Sequence, residues 1–223
     1  MIFSRRQLWV DPVRRAGPEA MAVDEWLLET AELPVLRVYE WAGEWASIGY
    51  FDRIAGARAA FPDIDLVRRW TGGGMVDHRA DWTYTVVVPR TEPLANWRGA
   101  ESYRTLHAAL ADVLAGEGIS ARMSLGEEQT GAALCFENPV GHDLLGPDGG
   151  KLAGAGQRRS RQGLLHQGSV AGRCRGALSE RRAGNLAGRL AGTWNPVSLD
   201  PVGEDLSRRC LARYACGAWT VRR

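Results

Sequence analysis

Val23, Trp26, Leu27 and Thr30 recur at helical spacing behind a Gly17-Pro18 pair suited to a first turn, and they predict a helix over residues 20–30. Residues 35–40 then alternate as a strand, with residues 45–50 as its partner across a Trp41-Ala42-Gly43-Glu44 turn. Residues 66–70 read as a strand entering a glycine loop, and residues 82–88 as a β run stopped by Pro89. The clearest helix covers residues 101–117, where Tyr103, Leu106, Leu110, Val113 and Leu114 share a face and Gly118 follows the end. Short strands are expected at 119–123, 132–136, 151–157 and 164–170, and helices at 178–190 and 201–215. Strands and helices interleave without a strict βαβ rhythm. The pattern predicts an α+β fold with a mixed, largely antiparallel sheet flanked by helices.

No repeat or change of composition divides the 223 residues, so a single domain over 1–223 is expected. With 45% hydrophobic and 24% charged residues the chain is an ordinary globular one, which excludes disordered, collagen-like and coiled-coil classes. No apolar run approaches the roughly 18 residues that span a bilayer, and Met1-Ile2-Phe3-Ser4-Arg5-Arg6 lacks the apolar stretch of a signal peptide. Neither a membrane nor, at a net charge of +2, a nucleic-acid partner is expected. Cys135, Cys174, Cys210 and Cys216 are widely spaced with no CxxC pair, which points to a reducing cytoplasm and to no metal site or disulfide framework. GxGxxG and Walker-type motifs are absent.

Among the 28 basic residues there is a single lysine, Lys151. Arginine and lysine differ where a compact ammonium must reach a point charge or a planar fork does not fit. Lys151 lies in Gly149-Gly150-Lys151-Leu152-Ala153-Gly154-Ala155-Gly156-Gln157-Arg158-Arg159, among small residues that let a ligand approach a strand. It suits a developing oxyanion or a carbonyl or phosphate oxygen, or it is a turn lysine that drift has spared. Arg68-Arg69-Trp70-Thr71-Gly72-Gly73-Gly74-Met75-Val76-Asp77-His78 sets three glycines between two β runs, either a ligand loop or a flexible turn with surface arginines. Cys135 is a candidate nucleophile, or a small core residue within Ala132-Ala133-Leu134-Cys135-Phe136. His78, His142 and His166 are weaker signals, and a satisfied core position is the plainer reading of His166. Asp143 and Asn138 suit a ligand, a magnesium ion or a cap. Arg158-Arg159-Ser160-Arg161 reads as a solvated hairpin tip or a surface for an acidic partner.

Together these segments resemble the lipoate–protein ligase A, octanoyltransferase and biotin–protein ligase superfamily, on its lipoyl side. Met21-Ala22-Val23-Asp24-Glu25 is similar to the first-helix signature and Ser47-Ile48-Gly49-Tyr50-Phe51 to the following strand. The glycine segment resembles the lipoate-pocket loop. Asp143-Leu144-Leu145, the Lys151 segment and Leu165-His166-Gln167-Gly168-Ser169 resemble the second half of the site. The resemblance implies a biotin/lipoate protein ligase-like catalytic domain with an acyl tunnel contacted by Arg69, Gly72, Gly73, Gly74, Met75, Val76, His78, Gly154, Ala155 and His166. Met75 departs from the small residue usual after the glycines, and the accessory C-terminal domain of some stand-alone ligases is not expected. Cys135 stands where cysteine-dependent octanoyltransferases and lipoyl amidotransferases place their nucleophile.

The implied activity is attachment of an octanoyl or lipoyl group, through an amide, to the acceptor lysine of a lipoyl-domain protein. That protein would be a glycine-cleavage H-type protein or a 2-oxoacid dehydrogenase E2. Burying about six methylenes of an eight-carbon chain would supply roughly 5 kcal/mol of recognition. The preferred route passes the acyl group from a donor such as acyl carrier protein to Cys135, with Lys151 polarising the carbonyl and no cofactor. The alternatives are an ATP- and magnesium-dependent ligase, with Asp143 orienting nucleotide or metal, and a non-catalytic lipoyl-binding scaffold.

Overall fold

The computed structural model describes residues 2–201 and 203–222. Strand β1 (Phe3–Val10) leads to helix α1 (Gly17–Thr30), whose first turn holds Pro18, where a missing N–H costs nothing. Strands β2 (Val35–Tyr39) and β3 (Trp45–Ile48), helix α2 (Ile54–Ala60) and strand β4 (Asp65–Arg68) follow. The glycine loop separates β4 from β5 (Val76–Asp77) and β6 (Asp81–Pro89). Helix α3 (Gly99–Gly116) is ended by Gly118, whose φ of 79° suits the left-handed turn after a helix. Strands β7 (Arg122–Met123), β8 (Leu144–Leu145), β9 (Lys151–Arg159) and β10 (Gly163–Ala171) come next. The chain finishes with α4 (Gly176–Leu190), β11 (Ala191–Pro196), α5 (Gly203–Arg209), a π-helical turn at Cys210–Tyr214, and α6 (Gly217–Thr220).

Eight strands in the order β11-β1-β2-β6-β10-β9-β8-β7 make the main sheet, and β4-β3-β5 a small second one. In the main sheet β1 is parallel to β11 and β2, and every pairing from β2 to β7 is antiparallel. The fold is thus α+β with a mixed, largely antiparallel sheet. Helices α3 and α4 cover one face, where Leu106, Leu110, Val113 and Leu186 meet Val86 and Leu164. Helix α1 covers the other, with Met21 and Leu27 against Val87 and Leu165.

Four sequence expectations change. Residues 45–50 do not pair with 35–40, because both edges of β2 are already taken by β1 and β6; β3 instead starts the small sheet. β2 does not alternate either, since all five of its residues are buried between the helical layers. The apolar run 132–136 forms no strand. It makes one bridge from Leu134 to Met75 and then a 3-10 turn, Cys135–Glu137, with none of the turn's residues buried. The helix expected over 201–215 contains Val202, outside the described residues, and tightens into the π-helical turn from Cys210. Strands β1 and β11 carry so many polar and charged residues that periodicity hid them.

Between α3 and the sheet lie two buried histidines, His107 and His166, their rings 5.6 Å apart. The His107 Nδ1–H donates to the His142 carbonyl at 2.8 Å, and Gln157 Nε2 donates to His166 Nδ1 at 3.0 Å. Burial lowers His107 from 6.5 to about 4 and holds His166 well below its ordinary value, so both stay neutral in the folded chain. In the unfolded chain both take protons near pH 6.5. Stability is therefore full above that pH and falls as pH drops toward 4, by about 3 kcal/mol for His107 alone. Urea unfolding of wild type and His107→Leu at pH 7 and pH 5 should give a clearly shallower acid loss in the variant; equal losses would contradict this.

Candidate active site

Strand β4 delivers Arg68 and Arg69 to the start of the glycine loop, and both guanidiniums turn inward. Arg68 donates to the carbonyls of Gly49, Tyr50, Asp52, Trp219 and Thr220 at 2.8 to 3.3 Å. Arg69 donates to Ser47 Oγ at 2.9 Å and to the carbonyls of Gly72 and Gly74 at 3.0 and 2.7 Å. Burial pushes the Arg69 guanidinium below its ordinary value, and it stays engaged with these oxygens. The arginines thus clamp the loop rather than standing free for an anion. Gly73 takes a φ of 92°, which a side chain would strain. The loop lies against β9 because Gly156 has no Cβ; one there would sit 2.3 Å from the Gly72 carbonyl oxygen.

On its other side the loop holds Cys135. Met75 N–H donates to the Ala133 carbonyl at 3.1 Å, and Cys135 N–H to the Met75 carbonyl at 2.7 Å. The thiol, half-buried, meets the Lys151 ammonium, with Nζ 3.1 Å from Sγ. Lys151 opens β9 and its side chain folds back over Gly154, where a Cβ would lie 2.4 Å from Cε. Gly154 therefore makes room for the lysine itself. The ammonium also rests 2.6 Å from Asp143 Oδ2, with both side chains buried. Asp143 further accepts from Tyr103 O–H at 2.5 Å and from Val140 N–H at 2.8 Å, and Tyr103 Oη accepts from Ala155 N–H at 2.7 Å. Tyr103, read from sequence only as part of an apolar helix face, is thus the brace that ties Asp143 to β9.

Beside this pair a narrow cleft of about 30 Å³ is lined by Met21, Tyr39, Trp41, Val76, His78, Gln167 and Cys135. A larger cavity of about 270 Å³ lies behind the Trp41–His78 wall. It is lined by charged residues such as Arg14, Glu40 and Arg173 and reaches neither Cys135 nor Lys151, so the smaller cleft is the one beside the chemistry. His78 stacks on Trp41 at 4.2 Å, with Ser47 Oγ 2.8 Å from Nε2 and Asp81 Oδ2 2.7 Å from Nδ1.

The structure brings Arg69, Val76, His78, Cys135, Gly154 and Ala155 to the cleft, with Lys151 meeting it through the thiol and Asp143 standing behind Lys151. Gly72, Gly73 and Gly74 form the wall behind it, packed on β9 and Cys135. Met75 is a correction: its side chain packs with Ala46 and Ile48 in the small sheet's core instead of shaping the cleft. His166 is another. Successive strand residues face opposite ways, so on β10 His166 turns toward α3 while Gln167 and Ser169 line the cleft. Asn138 is a cap, its Oδ1 accepting from Thr130 and Gly131 N–H. The four cysteines are free thiols; Cys174 and Cys210 are buried, and burial pushes Cys210 up to about 11.

Residues 17–178 match the family model described as the lipoyl protein ligase A/B catalytic domain. Octanoyltransferase LipM of Carboxydothermus hydrogenoformans is 33% identical over 172 residues, which cover 73% of this chain and 63% of that protein. The chain thus spans less than two thirds of that curated relative's length. Among solved structures, protein Ta0514 from T. acidophilum with bound lipoic acid superposes with a TM-score of 0.76 at 17% identity, covering 99% of this chain and 100% of that one. A lipoate-protein ligase A bound with ATP gives 0.67 at 18% identity, over 99% of both chains. These structures share the fold. With the thiol–ammonium pair and the glycine loop both inside the matched stretch, 17–178, this chain belongs to the lipoyl protein ligase A/B catalytic-domain family.

Proposed function

We propose that this chain is an acyltransferase that moves an octanoyl or lipoyl group from a thioester to the acceptor lysine of a lipoyl-domain protein, by way of Cys135. The observation that carries this reading is the 3.1 Å contact between Lys151 Nζ and Cys135 Sγ, with Cys135 lining the cleft. The thiolate is the attacking form of a cysteine. The Cys135 sulfur attacks the donor's carbonyl carbon, the new C–S bond forms, and the donor's own thiolate leaves. The acceptor amine then attacks the same carbon, Cys135 departs as thiolate, and the amine's surplus proton passes to solvent or to the departing thiolate. In both steps negative charge gathers on the carbonyl oxygen, within reach of the Lys151 ammonium. Asp143 and Tyr103 hold that ammonium still, so little reorganisation accompanies each attack.

The donor in this reading is acyl carrier protein and the acceptor an E2 or H-type lipoyl domain. Under an ATP-dependent alternative Asp143 would have to offer an oxygen to magnesium. Here its Oδ1 accepts from Tyr103 and its Oδ2 contacts Val140 N–H and Lys151, so its contacts serve to hold the ammonium.

Incubation with octanoyl-carrier protein, acceptor withheld, should add one octanoyl mass to the chain at Cys135, sensitive to hydroxylamine. Cys135→Ser should lose at least 100-fold in transfer to an apo lipoyl domain, since no base beside it activates a hydroxyl. Retained transfer without an adduct, together with pyrophosphate release from ATP and lipoate, would overturn the thioester route. Lys151→Arg keeps the charge but needs room for a planar fork over Gly154; at least a 30-fold loss in kcat is expected for the folded variant. Full activity of that variant would remove the role given to the ammonium.

A further inference from the structure

The segment Arg158-Arg159-Ser160-Arg161 is not a purely solvated tip. Arg158 lays its guanidinium 4.1 Å over Trp70 and 5.4 Å from Tyr50. Arg213 covers Trp70 at 4.5 Å, and Arg222 lies 5.0 Å from Tyr50 and 5.6 Å from Trp219. Phe51 meets Tyr50 edge-on at 4.9 Å and is 65% exposed. Among the described residues, Arg213 is the one guanidinium of this ladder that pairs with a carboxylate, Glu25 at 2.5 Å. Among the described residues Arg158 and Arg222 form no ion pair, and Arg158 Nε is buried with no hydrogen-bond partner.

This ladder is the outer rim of the glycine loop. Trp70 directly precedes Thr71, Tyr50 N–H donates to the Thr71 carbonyl at 2.9 Å, and Phe51 lies 3.9 Å from where a Gly72 Cβ would be. Arg158 stands on the same face of β9 as Gly154 and Gly156, roughly 13 Å along the strand from Gly154. A guanidinium stacked by its face keeps its in-plane N–H donors for a carboxylate, and the stacking fixes it in advance, which lowers the entropy lost on docking. Two uncompensated cations beside an exposed aromatic suit an acidic protein surface with an apolar contact. The donor differs between a thioester and an adenylate route, whereas the lysine-bearing protein is required by both.

We propose that this arginine–aromatic rim docks the acidic face of the protein carrying the acceptor lysine, a proposal that rests on the transfer reading above. The test is titration of the full chain with an apo E2 lipoyl domain at 50 and 300 mM salt, for wild type, R158E/R222E and R158K. The charge reversal should weaken binding at least tenfold at low salt, R158K about threefold, and salt should weaken wild type far more than the reversal. Thioester formation at Cys135 from the uncharged small donor S-octanoyl-N-acetylcysteamine should stay within twofold in all three, which shows the fold intact. Equal binding by wild type and the reversal, or no binding by wild type, overturns the proposal. Rim-dependent binding with no thioester from any donor would instead sink the transfer reading and leave the docking surface standing.

Discussion

Arg37 is buried in the middle of the sheet, where a lone cation would be intolerable, and its neutralisation ties five parts of the chain together. It bonds Asp24 of α1 at 2.7 Å, Asp11 after β1 at 2.8 Å and the Ala20 carbonyl at 2.9 Å. Burial works against the charge, yet the carboxylates more than offset it and hold the guanidinium above its ordinary value. Asp24 then accepts from Thr85 on β6 and from Gln167 on β10, and Thr71 O–H donates to Gln167 at 2.7 Å. The foot of the glycine loop is thus anchored to the same buried charge that seats α1 on the sheet. A fully satisfied polar network of this kind specifies one arrangement, because shifting any member strands a charge.

The thiol side of the site is held by a second, smaller network that shares none of those residues. Asp143 joins the Lys151 ammonium to Tyr103, and Tyr103 reaches the Ala155 N–H on β9. Strand β9 therefore supports both walls, since Gly156 receives the loop and Lys151 faces Cys135. The two networks meet across one narrow cleft, whose walls between them carry apolar side chains such as Met21 and Val76.

Much of this was legible in the sequence where one residue's chemistry decides its place. The single lysine and the triple glycine stand out in the sequence by residue type and position, Cys135 is a candidate nucleophile or a small core residue until the resemblance favours the first, and the long helix over 101–117 shows in its apolar face. What stayed hidden depends on partners far along the chain. Arg68 and Arg69 look like ligand groups until the carbonyls that occupy them are known. Tyr103 sits on an apolar stripe, and nothing local says that its hydroxyl reaches Asp143, forty positions away. His166 drew attention for its ring, yet strand alternation gives the cleft to its neighbours Gln167 and Ser169. Strand 132–136 failed for a related reason: its only pairing partner is the edge of the glycine loop, so a single bridge forms and the chain turns.

The contrast between arginine and lysine inside this protein follows from the same geometry. Arg37, Arg68 and Arg69 each gather oxygens from several segments, work that needs a planar fork with donors spread along its edges. Lys151 has a different task. Its terminal nitrogen must touch one carboxylate and one sulfur at once, after a stem that bends tightly across Gly154. A fork placed there would carry its carbon and two further nitrogens into space bounded by the Gly154 backbone and Asp143, whereas an ammonium is compact and directs three donors from a point. In a chain that uses arginine at every other basic position, the one lysine stands where a single nitrogen meets both a carboxylate and a thiol.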